Sequence, residues 1–449
     1  HFNEATLIAM REVEGNVIED NLFEKSRYTT AVSVAYYGGM NMIRRNAFLN
    51  MTNGVVLSES VRGNVITDNT FLLDGSDDTA IASKVDLAHT RASRVDRNRY
   101  YLARGAAAGS VLDARYPTLA EWQSVTGFDA NGETITTPEH PDFIPWSIVT
   151  KTVCANGCDY ATIRAAYDAI PSAVPGVAHE LMTSNVSYVI EVRDNGVYDG
   201  NLVINVLTDS ARTFTIAAAP DFRPTIRQDN FGKGFDIGSS YVTIRGFFFP
   251  GGQKTNQFGS AIFIGGSDVT IEDNVIENMP EAPAIFIQEG DRNRILRNTI
   301  RNTFHGIIMR FYSDGHEILG NTIADTQGAV EMIDRVSDVR IEQNTFFHNT
   351  ESIIAGKNSA MRTRLRNNIF VADGAKNTIF AIADDGPLAT FDSDYHDFFI
   401  TNGAAIARIS ATVSATLSEW QSQGKDVNSF AGDPLFAQSD AAPYDFHLK

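Results

Sequence analysis

The chain has 449 residues, 43% of them hydrophobic, and a formal net charge of −18. That is enough apolar material for a substantial core and enough length for two or three domains. The acidic balance excludes a nucleic-acid backbone or an anionic membrane surface as the expected partner, and it disfavours a strongly anionic polymer unless a groove is locally basic.

No apolar run reads as a membrane span or a signal peptide, so no membrane insertion is expected. The first residues, HFNEATLIAM, already read as repeat sequence, which places the expected start of the natural chain earlier. In residues 1–104, GNVIEDNLF, NMIRRNAF and GNVITDNTF place Asn21, Asn46 and Asn69 at steps of 25 and 23 residues. VDRNRYYL, around Asn98, is a looser fourth copy after LLDGSDDTA. A constant period in the twenties marks a solenoid, and segments this short leave no room for helical pairs. The expected coil is therefore that of a parallel β-helix. The chain enters it mid-coil, which predicts that further sequence or another subunit, by end-to-end self-association, covers the open strand edges.

Residues 105–150 leave the repeat: YPTLAEWQSVTGFDANG predicts a short helix and loop, and TPEHPDFIPW an extended linker. The first unit is thus assigned residues 1–145 and the second 146–449, with recognisable structure from Lys151. Cys154 and Cys158 (CANGC) fit a small disulfide loop, a pair of free thiols or, lacking a second pair, only part of a metal site. YATIRAAYDAIPSA predicts a short amphipathic capping helix ending at Pro171. Strands follow, and then the most regular coils, residues 259–370. There Asn274, Asn298, Asn321, Asn344 and Asn368 recur at steps of 24, 23, 23 and 24 residues. An Asn at the same turn of every coil is expected to hydrogen-bond its own backbone and the Asn of the next coil. TLAEWQSVTGFDAN (118–131) and TLSEWQSQGKDVN (416–428) are near-copies, one after each solenoid, as in two tandem domains of similar design.

TVCANGCDYATIRAAYDAI resembles the opening segment of right-handed parallel β-helix proteins of the pectate-lyase-like superfamily. The N-x-I/F coils and the closing GDPLF…YDFHLK are similar to that group as well. The resemblance spans essentially the whole chain. It implies an all-β, right-handed parallel β-helix fold, one partial and one complete unit, in an extracellular or cell-surface protein. Its motifs are structural, and the superfamily contains lyases, glycoside hydrolases, epimerases and surface proteins, so it does not choose an activity.

Aligning AIFIGG, AIFIQE, GIIMRF, AVEMID and SIIAGK from Ala261, Ala284, Gly306, Ala329 and Ser352 separates two faces. Positions two and four, from Ile262 and Ile264 onward, stack inward. Position three, outward, holds Phe263, Phe286, Ile308, Glu331 and Ile354; position five holds Gln288 and Arg310, with Glu289, Phe311, Asp334 and Lys357 just beyond. This is a candidate polysaccharide groove. Phe263, Phe286, Phe311 and Gln288 would bind sugar. Arg310 would pair with Glu331 or neutralise a uronate, with Lys357 or His305 as the base of a lyase. Glu331 with Asp334 or Glu289 would supply a hydrolase's two carboxyls. His305 and His348 fall at expected turns. GIIMRF…GN is similar to the arginine-bearing coil of alginate and chondroitin lyases, but that group's partner lysine and calcium-ligand coils are not evident in the preceding coils. Three acidic loops, Asp74–Asp78, Asp384–Asp385 and Asp392–Asp397, offer oxygen ligands to a calcium ion without EF-hand spacing. The alternative to a carbohydrate-active groove is a stiff structural or adhesive module of a longer array.

Overall fold

The structure, a computed structural model, describes residues 6–24, 30–36, 38–58, 62–112, 114–140, 147–171, 179–180, 186–208, 212–228, 232–251, 259–356, 359–383, 385–438 and 445–448. The chain forms two compact units, His1–Ser147 and Ile148–Lys449. Among the described residues, no helix is long and apolar enough to cross a membrane.

Each coil gives one short strand to each of three sheets. In the second unit these are three ten-stranded sheets. The first carries Thr270–Glu272, Arg294–Leu296 and Glu317–Leu319, and the second carries Val275–Met279, Thr299–Thr303 and Thr322–Ala324. The third carries Ile262–Ile264, Ile285–Gln288, His305–Arg310, Gly328–Met332, Glu351–Ala355, Thr378–Ile382 and Ala405–Ile409. Successive coils pair in parallel, residue for residue, as in Ile285↔Ile307↔Val330↔Ile353. The expected inward positions are the core: Ile262, Ile285, Ile307, Val330 and Ile353, with Ile264, Ile287, Met309, Met332 and Ala355, are all buried. The first unit repeats the plan with sheets of six, four and five strands. Its core includes a stack of Phe23, Phe48, Phe71 and Tyr100 with ring centroids 5.0, 4.7 and 5.4 Å apart.

The asparagines hold the turns. The Oδ1 of Asn321 accepts the backbone N–H of Asn298 at 2.8 Å and its Nδ2 at 3.1 Å. The Nδ2 of Asn321 donates to the Ile295 carbonyl at 2.8 Å and to Asn344 at 3.1 Å. The same contacts recur at Asn274, Asn344 and Asn368. A buried N–H without a partner costs about 1–3 kcal/mol. Asn321→Ala orphans the Asn298 N–H and opens a cavity, so it is expected to destabilise the second unit by about 3 kcal/mol in urea unfolding. A variant unfolding with wild-type midpoint and slope would count against the ladder.

Each ladder ends on one of the near-copied segments. In the first unit Asn98 donates from its backbone and side chain to the Asp129 carboxylate. In the second, Asn368 donates to His396 Nδ1 at 3.0 Å, and His396 donates its backbone N–H to Ser429, which is bonded to Asp426. Helices Leu119–Thr126 and Leu417–Gln421 both start with a capping box, Thr118/Glu121 and Thr416/Glu419, and both bury a tryptophan, Trp122 and Trp420. Asn131 bonds Asp96 as Asn428 bonds Asp394. The duplicated sequence is thus a duplicated terminal cap that satisfies the last coil's polar groups. At the other end of the second unit, helix Ile163–Asp168 buries Ile163, Ala166 and Tyr167, and Cys154 and Cys158 form a disulfide with Cα atoms 5.5 Å apart.

Candidate functional site

The outer face of the third sheet carries one column of residues in register: Asp236, Phe263, Phe286, Ile308, Glu331, Ile354, Ala381 and Arg408. Phe263 and Phe286 are half-buried and meet edge to face at 5.5 Å. Lys233, paired with Asp236 at 2.9 Å, places its ammonium 3.3 Å from the Phe263 ring centroid.

The centre is a histidine and a carboxyl. His305 is not in a turn, as its sequence position suggested. It opens the strand His305–Arg310 and is 8% exposed. Its register partner is Gly328, where a Cβ would lie 2.3 Å from the imidazole, so only glycine leaves room for the ring. Across that gap the imidazole Nε2 lies 3.5 Å from a Glu331 carboxylate oxygen. Burial, helped by the Arg310 guanidinium, pushes the His305 pKa down to about 4, so it is neutral at neutral pH. Burial raises the pKa of Glu331; Arg310 opposes the rise, while Glu351 and Asp334 add to it. Burial thus disfavours the charged form of both groups. Among the described residues, His305 Nδ1 and Arg310 Nε have no hydrogen-bond partner.

The expected Arg310–Glu331 ion pair does not form. Arg310 lies level with Gln288 and one residue past Met309, which faces Met332, so it is two positions along the sheet from Glu331. Its partner is Asp334, at 3.7 Å. Phe311 and Asp334 follow the strand ends with φ of +62° and +59°, which turn them to the lip of the face; Phe311 is 37% exposed and its ring centroid is 5.9 Å from Arg310. Glu289 is exposed beyond its strand and makes no ion pair among the described residues. Lys357 lies outside the described residues. His348 does sit in a turn, 3.9 Å from Asp325.

Two charged residues of this face escaped the sequence reading. Glu351, in register with Gly328, is ion-paired with Arg408. The aligned segments were in the right register, but they began at Ala329 and Ser352 and so left out Gly328 and Glu351, and AAIARIS was set aside as irregular although Arg408 occupies the same column as Glu331. No group of three or more His, Cys, Asp or Glu side chains converges to hold a metal among the described residues. In the expected calcium loop, Asp392 is paired with Arg366 and Asp394 accepts from Asn428. Of the other loops, Asp74 and Asp78 are buried and Asp384 lies outside the described residues.

Residues 238–388 match the family described as "Right handed beta helix region". The chain folds as right-handed parallel β-helices. No curated protein matches it. Among solved structures, this β-helix protein is similar to PfbA, a surface adhesin of Streptococcus pneumoniae (10% identity, 84% of this chain and 83% of that one, TM-score 0.34). It is also similar to the alginate lyase AlyF-OU02 in complex with G6 (11%, 96% and 96%, 0.32) and to the A-module of the Azotobacter vinelandii mannuronan C-5 epimerase AlgE6 (12%, 92% and 91%, 0.29). At these scores the likenesses carry no argument about activity.

Proposed function

We propose that this is an extracellular or surface β-helix protein that binds a polysaccharide along the outer face of the third sheet and hydrolyses it there. The observation that carries the reading is the buried His305–Glu331 pair beside the Phe263–Phe286 surface. Glu331, its pKa raised by burial, is the proton donor to the glycosidic oxygen. Glu351, held by Arg408, is the second carboxylate. Carboxyls in unlike environments are what acid and base roles require. Hydrolysis is favoured over lyase chemistry because each cation described on this face has an acidic partner: Lys233 with Asp236, Arg310 with Asp334, Arg408 with Glu351. Among the described residues these pairs leave no surplus charge there to neutralise a uronate.

The test is a polysaccharide panel followed by reducing-end and unsaturated-uronate assays together. New reducing ends without unsaturated product are expected. Unsaturated product would overturn hydrolysis in favour of a lyase. Silence on both would favour the second reading, a stiff structural module. That reading draws support from the ion pairs that tie successive coils together, such as Arg292–Asp268, Arg297–Asp273 and Arg362–Asp338.

A further inference from the structure

The duplicated caps allow the two units to be compared strand by strand. In each unit the last parallel strand of one sheet, Ala107–Val111 or Ala405–Ile409, turns back into an antiparallel strand, Ala114–Tyr116 or Thr412–Ser414. The cap helix follows directly. The sheet that ends this way in the first unit is therefore the equivalent of the third sheet of the second. Counted back along the sheet from the last parallel strand, Thr6–Arg11 takes the place of His305–Arg310. The residues agree with this frame. Both strands end in Met-Arg, and Ala31 matches Ala329, Thr79 matches Thr378 and Ala107 matches Ala405. The residues just past the strand ends share a positive φ: Tyr36 at +52° and Asp334 at +59°, Leu112 at +52° and Ser410 at +50°.

Within this shared frame the two faces differ at the reacting groups. One column runs Thr6, Thr30, Asn53 in the first unit and His305, Gly328, Glu351 in the second. In the neighbouring column Ser33 and Ser110 stand where the second unit has Glu331 and Arg408. The differences come as interacting pairs. The imidazole and the glycine that makes room for it both give way to threonine. The Glu351 carboxylate and the Arg408 that holds it give way to Asn53 and Ser110. Arg310 has a counterpart in Arg11, but Arg11 lies 5.3 Å from the Tyr36 ring centroid, where Arg310 meets Asp334. The shorter side chains leave a groove of about 230 Å³, whose described lining holds no carboxyl. Hydroxyls and an amide do not titrate near neutral pH, and hydrolysis of a glycosidic bond uses two carboxyls. We infer that the first unit is a catalytically silent copy of the second, so that the chain carries one reactive centre. The inference rests on the reading that the second unit hydrolyses a polysaccharide.

The test compares matched variants of the full chain on the panel polysaccharide that wild type cleaves. E331Q and E351Q, in the second unit, should each lower turnover by about a hundredfold or more. S33A/N53A, at the same places in the first unit, should leave turnover unchanged, and added to E331Q it should remove nothing further. If the double variant unfolds, S33A alone, which deletes one oxygen, carries the same expectation. Residual turnover in E331Q that S33A/N53A abolishes would reveal a second centre and overturn the inference while hydrolysis stands. So would a loss in S33A/N53A as large as that in E331Q at an unchanged unfolding temperature. Wild-type turnover in E331Q, or a wild type silent on the whole panel, would overturn the inference together with the reading it rests on.

Discussion

Glu331→Gln is expected to lower turnover on the polysaccharide substrate by about 10²–10⁴-fold, the usual contribution of a positioned general acid. The substitution keeps the shape of the side chain and its place beside His305, but it removes the proton that the mechanism transfers. The loss should fall on kcat, with KM little changed, because Phe263 and Phe286 remain in place. Stability should behave differently. A carboxyl whose folded pKa is raised destabilises the fold once pH exceeds its unfolded value, since ionising it in place costs desolvation. A neutral amide is free of that cost, so the variant should unfold at or slightly above the wild-type temperature at neutral pH. Equal losses of activity and of thermal stability would mean that Glu331 is a packing residue.

The second large effect is acid lability with an identifiable source. His396 and His316 are both buried and both stand where an acceptor is needed: Asn368 donates its backbone N–H to Nδ1 of His396, and Asn293 donates to Nδ1 of His316. Protonating either Nδ1 destroys an acceptor and buries a charge. Burial and then the Arg366 guanidinium push His396 down to about 3, against an opposing pull from Asp394, and the imidazole also lies 3.8 Å from Asp426. Burial pushes His316 down to about 4, opposed by Asp291 and Asp314. Because the folded pKa lies below the unfolded value of 6.5, the stability is complete above pH 6.5 and is lost as pH falls toward the folded value. At two pH units below 6.5 the loss from His396 alone is on the order of 3 kcal/mol. His396→Asn places at that step the residue used at the preceding ones, where Oδ1 accepts the same backbone N–H without titrating. It should move the acid-unfolding midpoint of the second unit to lower pH. Superimposable acid-unfolding curves would show that the acid sensitivity arises elsewhere.

The repeating part of the fold was legible because it obeys two periods at once. A period of two sent Ile285 and Ile287 inward, and a period of 23 or 24 stacked Asn298 on Asn321. What was not legible lay at the edges of the aligned segments and where the periods break. His305 keeps the 23-residue step, pairing with Gly328 as Ile307 pairs with Val330, but it stands one residue before the aligned segment GIIMRF, so a strand residue looked like part of a turn. The step from Asn368 to its partner is 28 residues and the partner is a histidine, so His396 did not read as part of the ladder. TLAEWQS and TLSEWQS were visible as copies, but their task became clear only when Asp129 and Asp426 were seen at the ends of the stacks. Arg310 and Glu331 were seen as outward residues on adjacent coils, but adjacency did not say which carboxylate each cation would choose. Their offset along the strands gave Arg310 to Asp334 and left Glu331 to His305.

The most direct test of the account is a crystal structure of the Glu331→Gln variant with an uncleaved oligosaccharide of the class that wild type degrades. The account predicts sugar rings over Phe263 and Phe286 and a glycosidic oxygen within hydrogen-bonding distance of the side chain at position 331. An oligosaccharide seated on another sheet, or lying across the third sheet with no contact to His305 or position 331, would contradict it.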